Sequence, residues 1–394
     1  MIYCKKMQRQ KRSATYMIYF DNAATTKVSE SAAKKAYEVM IECFGNPSSV
    51  HDFGYEAEKL LKASRKAILS KLGSIDRGDD FIFTSGGTEA NNLAIFGALG
   101  ARKHGGKTVF FSDSEHASIY AISKELEKTG YTVRYIPTKN GVLDLDFCRQ
   151  HFSKDTVLIS CMYANNETGA VYDIKALDSL RKKLCPNAIL HTDAVQAFCK
   201  TEKPLCLCGA DLISVSGHKV HAPKGSGGLF IKAKTRITPL FFGGGQEKDI
   251  RPGTEALPAI CAFAQAVQET DEKSNIKAVT EVRDHLVCAL SEKLGQVKIN
   301  LPENYLPYVI SLTLPAIKSE VMLRFLSAKG IYVSAGSACT SKHRENRVLS
   351  AFGLDSKSAD CTIRLSFCEY NTKDEADEFL KALDEGISSL VSLK

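Results

Sequence analysis

Seven short apolar runs recur between Phe81 and Ile231, alternating with helix-patterned stretches: FIFTS, TVFFS, TVRYI, TVLISC, AILHTD, LISVS and GGLFI. Runs this continuous leave no face for water. Their alternation with helices predicts an α/β sheet, largely parallel and covered on both faces. In 55–72 the period changes, and Ala57, Leu61, Ser64, Ile68 and Leu72 fall on one face at helical spacing. From 267 to 296 the chain is charged and helical (VQETDEKSNIKAVTEVRDHLVCALSEKLG), which predicts one long helix leaving the sheet domain and a boundary near 270. Beyond it KINL, YVISLTL, GIYVSAGS and CTIRLSF read as strands, and EVMLRFLSAKG and DEADEFLKALDEGISSLVS as helices. The expected organisation is an N-terminal extension (1–17, disordered or misassigned), a segment 18–30 packing on the small domain, a large domain 31–270 and a small α+β domain 271–394.

Length agrees with this division, since 394 residues exceed the usual size of one hydrophobic core. No window approaches a membrane span, so a soluble protein without a membrane partner is expected. The net charge of +7 suggests nucleic acid until it is located. Lys5, Lys6, Arg9, Lys11 and Arg12 lie in the first 17 residues with no acid among them, and the rest is nearly balanced, so no direct nucleic-acid partner is expected. That head lacks the apolar core of a secretory signal, and Met17 begins MIYFDNAATT like an independent start. Thirteen cysteines without regular spacing point to a reducing, cytoplasmic compartment. Cys199, Cys206 and Cys208 lack a zinc pattern and read as buried small hydrophobes; no metal is assigned.

Candidate chemistry begins at DDFIFTSGGTEANN, where a strand runs into two glycines and a helix start. Gly87 permits close backbone approach, Thr88 adds a hydroxyl, and the first helical amides point unpaired at an anion. The run is neither a Walker loop nor a dinucleotide turn, which leaves another phosphate-bearing cofactor. In LISVSGHKVHAPKGSGG, Ser216, His218 and Lys219 stand together at a strand end. Ser and His can bind phosphate, and Lys219, between a buried strand and a Gly-rich turn, can carry a cofactor aldehyde. Lys224, after Pro223, reads as exposed.

Pyridoxal phosphate (PLP) needs an acid beside its pyridine nitrogen. Asp193 ends the run AILHTD, and Gln196 follows within reach of the ring. His116, after a strand and at a helix start, can stack on the ring and move protons. Asn166 sits at another strand end, able to hydrogen-bond the ring oxygen. Cys339 stands apart from the other cysteines in the small polar loop SAGSACTS, followed by Lys342, His343, Arg344 and Arg347, whose charges favour a reactive thiolate. Arg364 alternates with apolar neighbours in CTIRLSF and must face either a substrate carboxylate or an acid of the domain interface.

With SGGTEANN, SEHAS, NNETGAV, TDAVQ, SGHKVHAPKG, RPGT and SAGSACTS in this order, the chain resembles the NifS/IscS-type cysteine desulfurases of the class V aminotransferase fold, from about Tyr19 to the end. The resemblance implies a PLP-dependent transferase (aspartate aminotransferase-like) fold with a mainly parallel seven-stranded sheet. It implies that Lys219 holds PLP, that Gly87, Thr88, Ser216 and His218 bind the phosphate, that Asp193 meets the pyridinium, and that His116, Asn166 and Gln196 serve the ring. Arg364 and Asn46, the latter in FGNPSSVH, would bind substrate, and Thr254 would reach the phosphate of the other subunit of a homodimer. The implied reaction takes sulfur from L-cysteine onto Cys339 as a persulfide, leaves alanine, and passes the sulfur to an acceptor such as an iron–sulfur scaffold or a tRNA-thiolation enzyme. Selenocysteine lysis or another class V activity is the enzymatic alternative, and a basic nucleic-acid-binding or scaffold protein the non-enzymatic one. KHRENRVL, after Cys339, is more basic than the family's usual version, which leaves the choice of acceptor open.

Overall fold

The computed structural model describes residues 17–74, 77–102, 106–335 and 346–391. The chain opens with β1 (Ile18–Tyr19) and two helices, Glu30–Ile41 and Asp52–Leu72. The second helix buries Ala57, Leu61, Ser64, Ile68 and Leu72, the face expected from their spacing, and ends at Gly73 in the left-handed conformation. All seven apolar runs become strands: β2 (Asp80–Thr84), β3 (Thr108–Ser112), β4 (Thr132–Ile136), β5 (Thr156–Ser160), β6 (Ile189–Asp193), β7 (Leu212–Ser216) and β8 (Gly227–Ile231). They form one sheet in the order β2-β8-β7-β6-β5-β3-β4. Only β8 runs against its neighbours, β2 and β7. β2, β3, β5, β6 and β7 therefore present their carboxyl ends at one edge, where ligands of open α/β sheets collect. Two apolar clusters cover the two faces, one around Phe81, Phe110 and Phe263, the other around Ile82, Phe111 and Leu158.

The single long helix expected over 267–296 is two. Leu257–Glu269 stops at Thr270, and Glu272–Lys293 starts under an Asp271 cap whose carboxylate accepts from the Ser274 amide at 3.1 Å. Charge and helical period run on through 270, so the pattern hid a break that the cap makes.

The remaining strands are β9 (Lys298–Ile299), β10 (Val309–Thr313), β11 (Ile331–Tyr332) and β12 (Thr362–Ser366). β9, β10 and β12 make an antiparallel sheet with β10 central. β11 is shorter than its apolar run and pairs in parallel with β1 instead. Phe20, fully buried, meets Phe367 and Phe379 edge-on at 5.1 and 6.0 Å, so the N-terminal segment is held in the C-terminal core. No helix among the described residues is long and apolar enough to cross a membrane.

Candidate active site

A cavity of about 820 Å³ opens at the carboxyl edge of the large sheet. Gly87, Thr88, His116, Asn166, Asp193 and Gln196 line it, as do Ser216, His218, Lys219 and Arg364. Ten predicted residues from separate stretches of sequence thus converge. Asn46 and Thr254 are not on this wall; the Asn46 side chain accepts from the Ser48 amide at 2.9 Å, within its own loop. Cys339 lies outside the described residues. A second groove of about 740 Å³, lined in part by Lys71, Glu202 and Glu272, gathers none of the predicted residues.

Each side chain is placed by a strand end. β6 delivers Asp193, whose carboxylate accepts from the Val195 amide at 2.9 Å and the Asn91 amide group at 2.8 Å. These donors orient the carboxylate and leave it 4 % exposed on the cavity wall. β3 delivers His116, which caps the helix Ala117–Lys128; its Nδ1 faces the Ser118 hydroxyl at 2.9 Å and amide at 3.2 Å. The ring stays open at the cavity mouth, yet the surrounding protein lowers its pKa, through desolvation first, with the Lys219 and Arg347 charges adding and Asp193 opposing.

β7 ends in Ser216, and one 3-10 turn, Gly217–Lys219, presents Lys219. Its amine donates to the carbonyls of Ala23 at 2.6 Å and Ala24 at 2.7 Å. Burial pulls its pKa down to about 7, with the Lys200 and Arg364 charges pushing the same way. A lysine that is half neutral at physiological pH can act as a nucleophile toward an aldehyde. His218 is likewise pulled down to about 4, by burial first and then by Lys219 and Lys224. Lys224 is exposed, as expected.

The Ser216 hydroxyl is buried and has no protein partner, an arrangement that costs free energy unless a ligand completes it. Beside it, the helix Gly87–Gly100 begins without a side-chain cap, its first amides directed at this corner of the cavity. A Cβ on Gly87 would lie 2.9 Å from a Val195 methyl, so only glycine fits there without displacement. An uncapped helix start, an unpartnered hydroxyl and a glycine wall suit a phosphate. A carboxylate and a depressed lysine further along the edge suit the ring and aldehyde of PLP.

On the far wall, Arg364 of β12 donates to Asp21 Oδ1 at 2.7 Å and to the Asn166 carbonyl at 2.9 Å, and its Nε is buried without a partner. The interface acid foreseen as one reading of this arginine is present as Asp21, and the guanidinium lines the cavity as well.

Three wall residues, Asn91, Glu115 and Arg347, and Asp21 behind Arg364 were not singled out for these places from the sequence. Asn91 orients Asp193, and Asp21 orients Arg364. Glu115 is 1 % exposed, accepting from the Ser112 hydroxyl and the Met162 amide, both at 2.9 Å. Burial, aided by the Asp193 charge, pushes its carboxyl up to about 8, so it is mostly protonated at neutral pH. Arg347, expected only as a cation favouring the thiolate, donates to the Asp113 and Glu115 carbonyls and lies 4.4 Å over the Tyr120 ring. The acid next to His116 in SEHAS and the asparagines of SGGTEANN were the available signals; Asp21 had none, because its partner is 343 residues away.

The aminotransferase class-V model matches residues 18–379. The chain belongs to the class V aminotransferase family. Within it, the chain is of the NifS/IscS cysteine desulfurase type. It is 39% identical over 375 residues to a NifS/IcsS protein homolog of Lactobacillus delbrueckii subsp. bulgaricus, covering 94% of this chain and 97% of that one. It is 35% identical over 382 residues to a cysteine desulfurase IscS of Archaeoglobus fulgidus, covering 96% and 98%. Among solved structures, a NifS-like protein superposes with a TM-score of 0.88 at 33% identity, covering 94% of this chain and 99% of that one. SspA in complex with cysteine superposes at 0.78 with 29% identity, covering 90% and 100%.

Proposed function

We propose that this cysteine desulfurase holds PLP in the 820 Å³ cavity and transfers the sulfur of L-cysteine to Cys339. The observation that carries the reading is the convergence of Lys219, Asp193, His116 and the unpartnered Ser216 hydroxyl from three strand ends onto one wall. The bound cofactor supplies an aldehyde for the substrate amine and an electron-accepting ring next to the substrate Cα. Ser216, His218, Thr88 and the amides starting at Gly87 hold the phosphate. Asp193, fixed by Asn91 and Val195, holds a proton on the ring nitrogen. Lys219 holds the cofactor at rest and, once released, moves the Cα proton at its neutral amine. His116 would stack on the ring, and Gln196 and Asn166 would orient its edge. Arg364 turns part of its guanidinium to the substrate carboxylate.

Sulfur transfer balances without an external oxidant: L-cysteine and the Cys339 thiol become L-alanine and a Cys339 persulfide. The Cβ–S bond breaks as the S–S bond forms, and Cβ ends as a methyl group.

The chain acts as a homodimer in this reading. Phe241 and Phe242 are 54 % and 90 % exposed on the segment leading to Thr254, which supports a subunit contact there, with Thr254 completing the partner's phosphate site. Free thiols at all described cysteines support a reducing cytoplasm, with a sulfur-acceptor protein downstream. Purified protein given L-cysteine and a reductant should show the visible absorbance of bound PLP and release alanine and sulfide. Borohydride should trap the cofactor on Lys219. Cys339→Ala should keep the absorbance and lose turnover; alanine formation by that variant at the wild-type rate overturns the reading.

A further inference from the structure

Behind the cofactor cavity, three side chains that the desulfurase chemistry does not use point at one another. His221 lies two residues beyond Lys219, and Cys368 and Glu369 follow directly from Phe367 at the end of β12. One donor atom from each, His Nε2, the cysteine sulfur and a Glu369 oxygen, lies within 4.8 Å of the other two. Among the described residues no other group of three such donors comes together.

His221 is held in place more firmly than its neighbours require. Its φ is 62°, in the left-handed region that non-glycine residues seldom occupy. Its amide donates to the Thr26 hydroxyl at 2.8 Å, its carbonyl accepts from the Ser29 amide at 2.9 Å, and its Nδ1 meets the Lys27 carbonyl at 2.8 Å. A carbonyl can only accept, so Nδ1 carries a proton and Nε2 is the ring atom left to face Glu369, 3.4 Å away. Metal-ligating histidines are oriented in this way. The spacing also fits: tetrahedral zinc, with bonds of about 2.0–2.3 Å, keeps its ligand atoms roughly 3.3–3.8 Å apart. His–Glu already has that separation, and the sulfur lies within 4.8 Å of both. The His221 and Glu369 side chains are 13 % and 20 % exposed, so solvent can reach a fourth position.

Charge agrees. A divalent ion with one thiolate, one carboxylate and a neutral imidazole makes a neutral group, the sum a partly buried site favours. On binding, the metal takes the place of the thiol proton, which leaves to solvent.

We propose that His221, Cys368 and Glu369 form a binding site for one zinc-class divalent ion, which ties the N-terminal segment, the Lys219 turn and the end of β12 together. Mixed sulfur and nitrogen donors select zinc or cobalt over magnesium or calcium. The site is independent of sulfur transfer at Cys339.

The test is Co²⁺ titration of the PLP-loaded protein in a Cys339→Ser background, which removes the competing loop thiol. Ligand-field bands, at wavelengths where PLP does not absorb, should saturate at one ion per chain. Cys368→Ser and His221→Ala should each weaken binding at least roughly 100-fold, and Zn²⁺ should raise the melting temperature of the background protein but not of these variants. Unchanged binding in both variants, or no saturable binding in the background protein, overturns the proposal. Should the variants fail to fold, anomalous scattering at the zinc edge from wild-type crystals decides. A peak among the three side chains supports the site; a peak elsewhere, or none, refutes it.

Discussion

The carboxyl edge of the seven-stranded sheet and the small antiparallel sheet line the same cavity but build their parts of it differently. On the large-sheet side every group hangs from a strand end, and Asp193 and His116 meet nearby chain at Val195 and Ser118, although the Lys219 amine donates to Ala23 and Ala24, 196 and 195 residues away. On the small-sheet side Arg364 is oriented by Asp21, 343 residues away, and by Asn166, 198 residues away. In the proposed reading the first side holds the cofactor and the second meets a substrate that comes and goes. Both touch the N-terminal segment, but on the second side the Arg364 guanidinium is set by it, through Asp21.

The sharpest way to separate the two sides is to remove one group from each. Lys219→Ala deletes the amine that holds the cofactor and moves the proton, so alanine formation should fall by about three orders of magnitude or more. Refolding should be spared, because the amine donates to two loop carbonyls, those of Ala23 and Ala24, and, among the described residues, to no side chain of the core. Phe20→Ala attacks the other side through packing. It empties a fully buried ring site against Phe367 and Phe379, and should cost about 3–5 kcal/mol in urea unfolding. Because Asp21 is adjacent, a rise in KM for L-cysteine should accompany it. Arg364→Lys keeps the charge but loses the planar fork shared among Asp21, Asn166 and substrate. A fall of roughly 10- to 100-fold in kcat/KM, mostly in KM, is expected; a change in kcat alone would move Arg364 out of substrate binding.

Ser216→Ala is a smaller change with a diagnostic pattern. Its hydroxyl has no protein partner, so the apoprotein should melt at an unchanged or slightly higher temperature while PLP affinity drops roughly tenfold. Equal losses in both would show the hydroxyl to be structural. The mildest probe is pH. With the Lys219 pKa lowered to about 7, the neutral amine fraction rises as pH increases through that value. Capture of added PLP by apoprotein should therefore accelerate by roughly tenfold per unit below about pH 7 and level off above it. A rate still climbing toward pH 10 would mean that burial does not lower this amine.

The two sides were also unequally legible from the residues. Seven apolar runs became seven strands of one sheet, and the motifs at their ends reached the cavity, because a strand followed by a glycine or polar turn fixes where the next side chain points. Asn46 and Thr254 rested on resemblance alone, and neither reaches this chain's cavity wall. Arg347 was legible as a charge near Cys339, whereas its place over Tyr120 depends on the packing of two distant segments.

The order of residues alone determined the strand runs, the amphipathic face of 55–72, and the grouping of Ser216, His218 and Lys219, since all depend on side-chain period and on neighbours within a few positions. Only the tertiary structure decided that the helix breaks at Thr270, that β11 joins β1, that Asp21 meets Arg364, and that His221 faces Cys368 and Glu369. Those outcomes pair groups up to hundreds of residues apart, and such partners are chosen by how the whole chain buries its apolar surface, which no local pattern records.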